Sequence, residues 1–234
     1  MIDSSALRTR LDEVRARIAR AAGRVGRDPA SIRLVAVSKT FPAELVRAAA
    51  DLGQIDFGEN RVQEALPKMD ETADLPIRWH LVGHLQSNKA KRAGRFDVIH
   101  SVDGAALVPR LDEAARAARK TVEFLVQVDL AGEATKHGAQ EDEVAGVFDA
   151  ARSLAALRAV GLMLLPPFFE DPEEARPFFR RLRDLRQRLL ARGIAPSALA
   201  ELSMGMSHDF EVAVEEGATL LRVGTAIFGG RSVR

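Results

Sequence analysis

Apolar residues near the start of the chain recur at three- and four-residue intervals. Leu7, Leu11, Val14 and Ile18 share one side, with Arg, Asp and Glu on the other. That period predicts a helix over residues 4–24. After Gly26-Arg27-Asp28-Pro29 the pattern changes, and short β-branched runs alternate with longer amphipathic stretches. Strands are predicted over residues 32–38, 55–58, 77–82, 98–101, 122–129, 157–164, 200–203 and 220–223. Helices are predicted over residues 43–52, 61–69, 89–94, 105–119, 141–154, 172–192, 207–216 and 225–228.

A strand followed by a helix, eight times over, argues for parallel pairing with right-handed crossovers. The class is α/β, and closure into a TIM-type (β/α)8 barrel fits the count. A doubly wound open sheet is the rival that periodicity alone leaves standing. No linker or shift in composition divides the chain. Residues 1–234 therefore read as one barrel domain, with residues 1–30 as an extra N-terminal helix packed on it.

Composition narrows the function. The chain has 234 residues, 47% apolar and 29% charged, as expected of an ordinary soluble globular protein. A net charge of +1 gives no electrostatic reason to expect nucleic acid or a membrane as partner. The N-terminus lacks the apolar centre of a signal peptide, and the apolar runs are too short to span a bilayer. Cysteine is absent, which removes disulfides, thiolate nucleophiles and cysteine-based metal sites. A cytoplasmic monomer is expected. Tyrosine is also absent, so no phenol can act as acid or base.

Reactive residues of a barrel sit at the C-terminal ends of strands. Lys39 directly follows the first apolar strand. Desolvation there would favour its neutral, nucleophilic form. A lysine at a strand end also snorkels to solvent, the commoner case for this feature taken alone. Met204-Gly205-Met206-Ser207 and Val223-Gly224-Thr225 follow strands seven and eight, the usual phosphate site of a barrel. Each couples a glycine to a hydroxyl near a helix start, where N–H groups favour an anion. The same residues would also serve as turns, with Ser207 as an N-cap. Arg222 either faces inward, toward a ring nitrogen or a carboxylate, or outward toward a helix acid. Asn60 either donates to a ligand oxygen or caps the next helix. His80 and His84 are four apart without a HExxH pattern, so no metal is expected from that pair. His208, at a helix start, reads as structural.

Five stretches carry a resemblance. They are residues 34–40 (LVAVSKT), 57–64 (FGENRVQE), 79–89 (WHLVGHLQSNK), and 202–210 (LSMGMSHDF) together with 222–229 (RVGTAIFG). In this order they resemble the pyridoxal 5'-phosphate (PLP) homeostasis proteins, the PROSC type of PLP-binding protein. The resemblance implies a barrel similar to the alanine racemase N-terminal domain. It implies PLP as cofactor, in a Schiff base with Lys39, and Asn60 near the ring. It further implies phosphate held by Ser207, Gly224 and Thr225, with Arg222 at the pyridine nitrogen. One departure follows strand six, where Gly161-Leu162-Met163-Leu164-Leu165-Pro166-Pro167 replaces the family's Gly-Leu-Met-Thr. A polar group at the mouth is lost there. His208 stands where a small residue is common.

Racemisation in the alanine racemase manner needs a second base, there a tyrosine from another domain, and this chain has none. An arginine at the pyridine nitrogen also leaves a weak electron sink. The reading is therefore a PLP carrier that holds the cofactor and releases it, with PLP-dependent apo-enzymes as possible recipients, and not an enzyme. A weak PLP-dependent racemase or lyase is the alternative, and a regulatory partner controlled by its PLP state is a third. Lys136, in the loop after strand five, is either a transient acceptor of PLP or a solvated lysine.

Overall fold

A computed structural model describes residues 4–132 and 137–230. Eight parallel strands pair in sequence order, and the last pairs with the first: β1 (Arg33–Val37), β2 (Asp56–Glu59), β3 (Arg78–Leu81), β4 (Val98–Val102), β5 (Val122–Gln127), β6 (Leu157–Met163), β7 (Glu201–Ser203) and β8 (Leu220–Val223). The β1–β8 register runs Arg33 to Leu220 and Ala36 to Val223. That pairing closes the barrel and removes the open sheet as an option.

The helices are α1 (Ser4–Arg24), α2 (Ala43–Ala50), α3 (Val62–Glu71), α4 (Ala90–Ala93), α5 (Val108–Ala117), α6 (Val144–Ala151), α7 (Arg176–Ala191), α8 (Phe210–Glu215) and α9 (Thr225–Phe228). Several predicted helices are shorter than their patterns. The segments 105–107 and 172–175 are 3₁₀ turns, because Pro109 and Pro177 stand in the first turns of α5 and α7 and the chain tightens just before them. The predicted helix at residues 207–216 begins only at Phe210.

Side chains alternate between two cores, as a pleated strand requires. Phe57, Trp79, Leu81, Phe124, Val126, Leu202 and Leu221 point outward and pack under the helices. Val35, Val37, Val82, Val98, Leu125, Val160, Met163 and Leu220 fill the barrel interior. Burying one such side chain contributes roughly 1.5–3 kcal/mol. At the bottom of the barrel charged residues pair from strand to strand. Arg33 meets Glu201 at 2.7 Å, and Arg78 bridges Asp56 and Glu123 at 3.8 and 2.9 Å.

Helix α1 lies across α8 and α9. Leu7, Leu11, Val14 and Ile18 are its buried face, as the period predicts. Arg10 donates to the carbonyl of Ile227 at 2.8 Å, and Arg17 pairs with Glu211 at 2.7 Å. Arg27 donates to the carbonyls of Val214 and Ala218. The N-terminal segment thereby braces the two helices that follow the last two strands.

Candidate functional site

Lys39 leaves the end of β1 half-buried, one residue past the fully buried Ser38. Thr40 adopts φ 69°, a left-handed conformation that a β-branched residue enters only under constraint. The constraint lies beneath the turn. Ser38 Oγ donates to Glu59 Oε1 at 2.7 Å. Lys68 Nζ, reaching back from α3, donates to the same oxygen at 2.6 Å and to the Ser38 carbonyl at 2.8 Å. Burial raises the Glu59 carboxyl above its usual range, and Lys68 offsets this only in part. The Ser38–Glu59–Lys68 cluster thus clamps the base from which Lys39 rises.

Across the mouth, the loop after β7 and the start of α9 meet. Ser207 does not cap α8. Its Oγ accepts from the backbone N–H groups of Gly224 and Ala226 at 3.2 and 3.3 Å, in the first turn of α9. Asp209, at the N-cap position of α8, also makes no side-chain cap bond; its Oδ1 accepts from Met206 N in the preceding loop at 2.6 Å. Gly205 holds φ 91°, and a Cβ there would lie 2.6 Å from the Ala213 Cβ. Only glycine allows the loop to come this close to α8. Thr225 opens α9 with its side chain exposed.

Arg222 faces inward, although burial statistics favour an outward arginine. It is 4% exposed. Its terminal nitrogens donate to two neutral oxygens: Ser203 Oγ at 2.5 Å and the Leu164 carbonyl at 2.8 Å. Burial pulls its guanidinium down to about 10. The Leu164 contact settles part of the departure after strand six. The main chain there anchors Arg222, and that contact is indifferent to the side chain.

Ser203 begins a buried polar row through the barrel. Its Oγ lies 2.7 Å from His100 Nδ1, His100 Nε2 lies 2.9 Å from His80 Nδ1, and His80 Nε2 lies 2.8 Å from Asp56 Oδ1. The donor inventory orders the whole row. Asp56 accepts only, so His80 carries its proton on Nε2. A neutral His80 then accepts at Nδ1 from His100 Nε2–H. His100 Nδ1 accepts the Ser203 hydroxyl proton, and Ser203 Oγ accepts from Arg222. Burial, reinforced by His80 and Arg222, holds His100 well below the usual imidazole value. Burial also lowers His80, with Asp56 opposing it. Asp56 itself sits below the carboxylate range, because the His80 hydrogen bond and the nearby arginines outweigh its own burial.

The other half of the mouth is built by the loops after β2 to β5. Asn60, His84, Gln86 and Lys89 line a cleft of about 540 Å³. Asn60 is half-buried and packs so closely on Gly83 that a Cβ there would meet the Asn60 carbonyl oxygen at 2.3 Å. The two histidines of the third strand region part company. His80 points into the barrel, whereas His84 lies beside Asp103, Nδ1 to Oδ2 3.4 Å. The His84 ring also stacks on His137, with centroids 3.5 Å apart. His208 sits on the rim, its Nε2 2.9 Å from the Glu170 carbonyl. Lys136 lies outside the described residues.

The family description "Alanine racemase, N-terminal domain" matches residues 3–232. The pyridoxal phosphate homeostasis protein of Aquifex aeolicus is 42% identical over 223 residues, 95% of this chain and 97% of that protein. The chain belongs to this family. Within it, the structure of PipY from Synechococcus elongatus with PLP bound superposes with a TM-score of 0.83 at 39% identity, covering 95% of this chain and 100% of that one. The alanine racemase of Clostridium difficile shares the fold alone, with a TM-score of 0.74 at 13% identity over 98% of this chain and 60% of that enzyme.

The donors gathered at this barrel mouth fit the parts of PLP one by one. A phosphate dianion needs clustered N–H and O–H donors, which Gly224, Ala226 and Ser207 supply. A pyridine nitrogen accepts one hydrogen bond, and Arg222 is a donor-only group. An aldehyde needs a primary amine, and Lys39 offers one at a clamped turn. Two supporting residues, Lys68 and His100, escape the strand-end rule, and a third, Ser203, obeys it without showing its role. Lys68 carries a legible signal, since it interrupts the apolar stripe of Val62, Ala65 and Met69. His100 carries only a weak one, as a polar residue within an apolar strand. Ser203 ends its strand, but its role depends on His100 lying opposite.

Proposed function

We propose that this protein binds PLP at the barrel mouth, holding it at Lys39 for release to PLP-dependent apo-enzymes, as a monomeric cytoplasmic carrier without substantial turnover of its own. Bound PLP supplies an aldehyde that bonds to a primary amine and a ring that takes up electrons. Lys39 is the amine in this reading. Gly224, Ser207 and Thr225 hold the phosphate, Asn60 stands near the ring, and Arg222 donates to the ring nitrogen.

The observation that carries the low-turnover part is the setting of Arg222. Its guanidinium is buried, bonded to neutral oxygens, and backed by a row whose histidines are neutral. Arg222 would donate a hydrogen bond to the ring nitrogen without giving up its proton, so the ring remains a weak electron sink. The lack of any tyrosine removes the usual second base. Among the described residues no helix is long and apolar enough to cross a membrane, in keeping with a cytoplasmic carrier.

Absorbance spectroscopy with PLP tests this reading. The wild type should show a band that borohydride fixes to the chain, and Lys39→Ala should abolish it. A band that survives Lys39→Ala would reject the anchor. Racemisation or decarboxylation of an amino acid above roughly 1 per second would reject the carrier role in favour of an enzyme.

A further inference from the structure

The loops after β3, β4 and β5 place three metal-type ligands together, outside the PLP-binding residues. We propose that His84, Asp103 and His137 form a binding site for one divalent transition-metal ion of the zinc class. Their ligand atoms all lie within 4.8 Å of one another. His84 Nδ1 and Asp103 Oδ2 are already 3.4 Å apart. Metal–ligand bonds of about 2.0–2.2 Å place neighbouring tetrahedral ligands about 3.3–3.5 Å apart, so this pair needs almost no movement. The His84 and His137 rings are nearly parallel, 9° apart, and stacked. Two stacked rings cannot both aim at one point, so closure requires one ring to tilt. Both histidines are exposed, which leaves room for that rotation.

The backbone under His137 is anchored. Gln127, buried at the end of β5, donates from Nε2 to the His137 carbonyl at 2.6 Å. The chain then returns against the strand, with Ala139 N donating to the Gln127 carbonyl at 2.8 Å. Gly138 permits this approach, because a Cβ there would lie 2.6 Å from Asp129 N. Such outer contacts hold a ligand's main chain while its ring adjusts. Two imidazoles and one carboxylate favour zinc, nickel or copper over magnesium or calcium. Three protein ligands leave an open coordination position, which at this exposed rim takes water or a small anion. The ion would tie three separate mouth loops together.

The test uses the untagged full chain, freed of PLP. Titration with ZnCl2 in a calorimeter should give a saturable one-site isotherm, and CoCl2 should develop visible d–d bands. His84→Ala, Asp103→Asn and His137→Ala should each weaken zinc binding by at least about tenfold, whereas His208→Ala should leave it unchanged. In the unaltered chain, zinc should protect His84 and His137, but not His208, from acylation by diethyl pyrocarbonate. Non-saturating binding up to millimolar zinc, or equal acylation with and without zinc, would overturn the site. Wild-type affinity in the His84→Ala/His137→Ala double variant would do the same. None of these readouts depends on PLP, so failure here is distinguishable from failure at Lys39.

Discussion

The two arcs of the barrel mouth present opposite kinds of atom. The arc from β7 through β8 and β1 to β2 offers donors: the N–H groups of Gly224 and Ala226, the Arg222 guanidinium and the Lys39 amine. The arc from β3 to β5 gathers acceptors, two imidazoles and the Asp103 carboxylate, with the Lys89 ammonium on its flank. The donor arc is supported from below by buried groups, with Ser38, Glu59 and Lys68 under one end and Ser203 and His100 under the other. The acceptor arc stands on two exposed imidazoles and a half-buried carboxylate over an anchored main chain. A rigid donor array suits a phosphate and a ring nitrogen, whose positions do not adapt. Adjustable acceptors suit an ion that draws its ligands in.

Gly83 is where the arcs meet, between Asn60 and His84. Gly83→Ala should have the largest effect on both, since its Cβ collides with the Asn60 main chain. A stability loss of about 2–3 kcal/mol is expected from overpacking against backbone, read by urea unfolding, with weaker binding of PLP and zinc alike. If PLP binding alone suffered, the arcs would be independent at this hinge. Ser207→Ala should separate them cleanly. It removes one phosphate-side hydroxyl, so PLP affinity should fall about tenfold or more in a spectroscopic titration, while zinc binding holds.

The buried row under the donor arc predicts a pH effect with a definite sign. His80 and His100 have folded-state values below the ordinary imidazole value. The unfolded chain therefore binds protons first, and stability is full above about pH 6.5. It is lost progressively as pH falls below that point toward the lowered folded values. Urea unfolding at successive pH values should show this loss beginning above the carboxylate range. His100→Gln should flatten the curve between about pH 6.5 and 5. An unchanged slope would mean that the row is already charged. The smallest effect is expected at the rim. His208→Ala, which loses only the Glu170 carbonyl contact and an exposed ring contact with Phe168, should shift stability by no more than about 0.5 kcal/mol.

Much of the donor arc is legible before folding. Lys39, Ser207, Gly224 and Thr225 lie at strand ends in short motifs, and the phosphate logic needs only neighbours in sequence. The structure changed the parts within it. Ser207 reads as a cap for α8 but bonds to α9, because the closed barrel brings the two loops side by side. Arg222 allows two directions in sequence, and the parity of β8 together with Ser203 and the Leu164 carbonyl selects the inward one. The acceptor arc is illegible, since its members come from three loops 19 and 34 residues apart in sequence, His84 to Asp103 and Asp103 to His137. The spacing of His80 and His84 gives no lead to it, for on a strand that continues into a loop a four-residue step does not keep one face.

By itself, then, the sequence determined the class of fold, the eight strand–helix units and the strand-end positions of the proposed PLP residues. Those follow from periodicity and short motifs, which are local physics. Tertiary structure alone decided which polar groups share the interior, because barrel closure sets β8 against β1 and aligns side chains from β2, β3, β4 and β7 in one row. Charge states inside that row, the direction of Arg222 and the meeting of His84, Asp103 and His137 are all consequences of burial and cross-strand distance. No local pattern encodes either quantity.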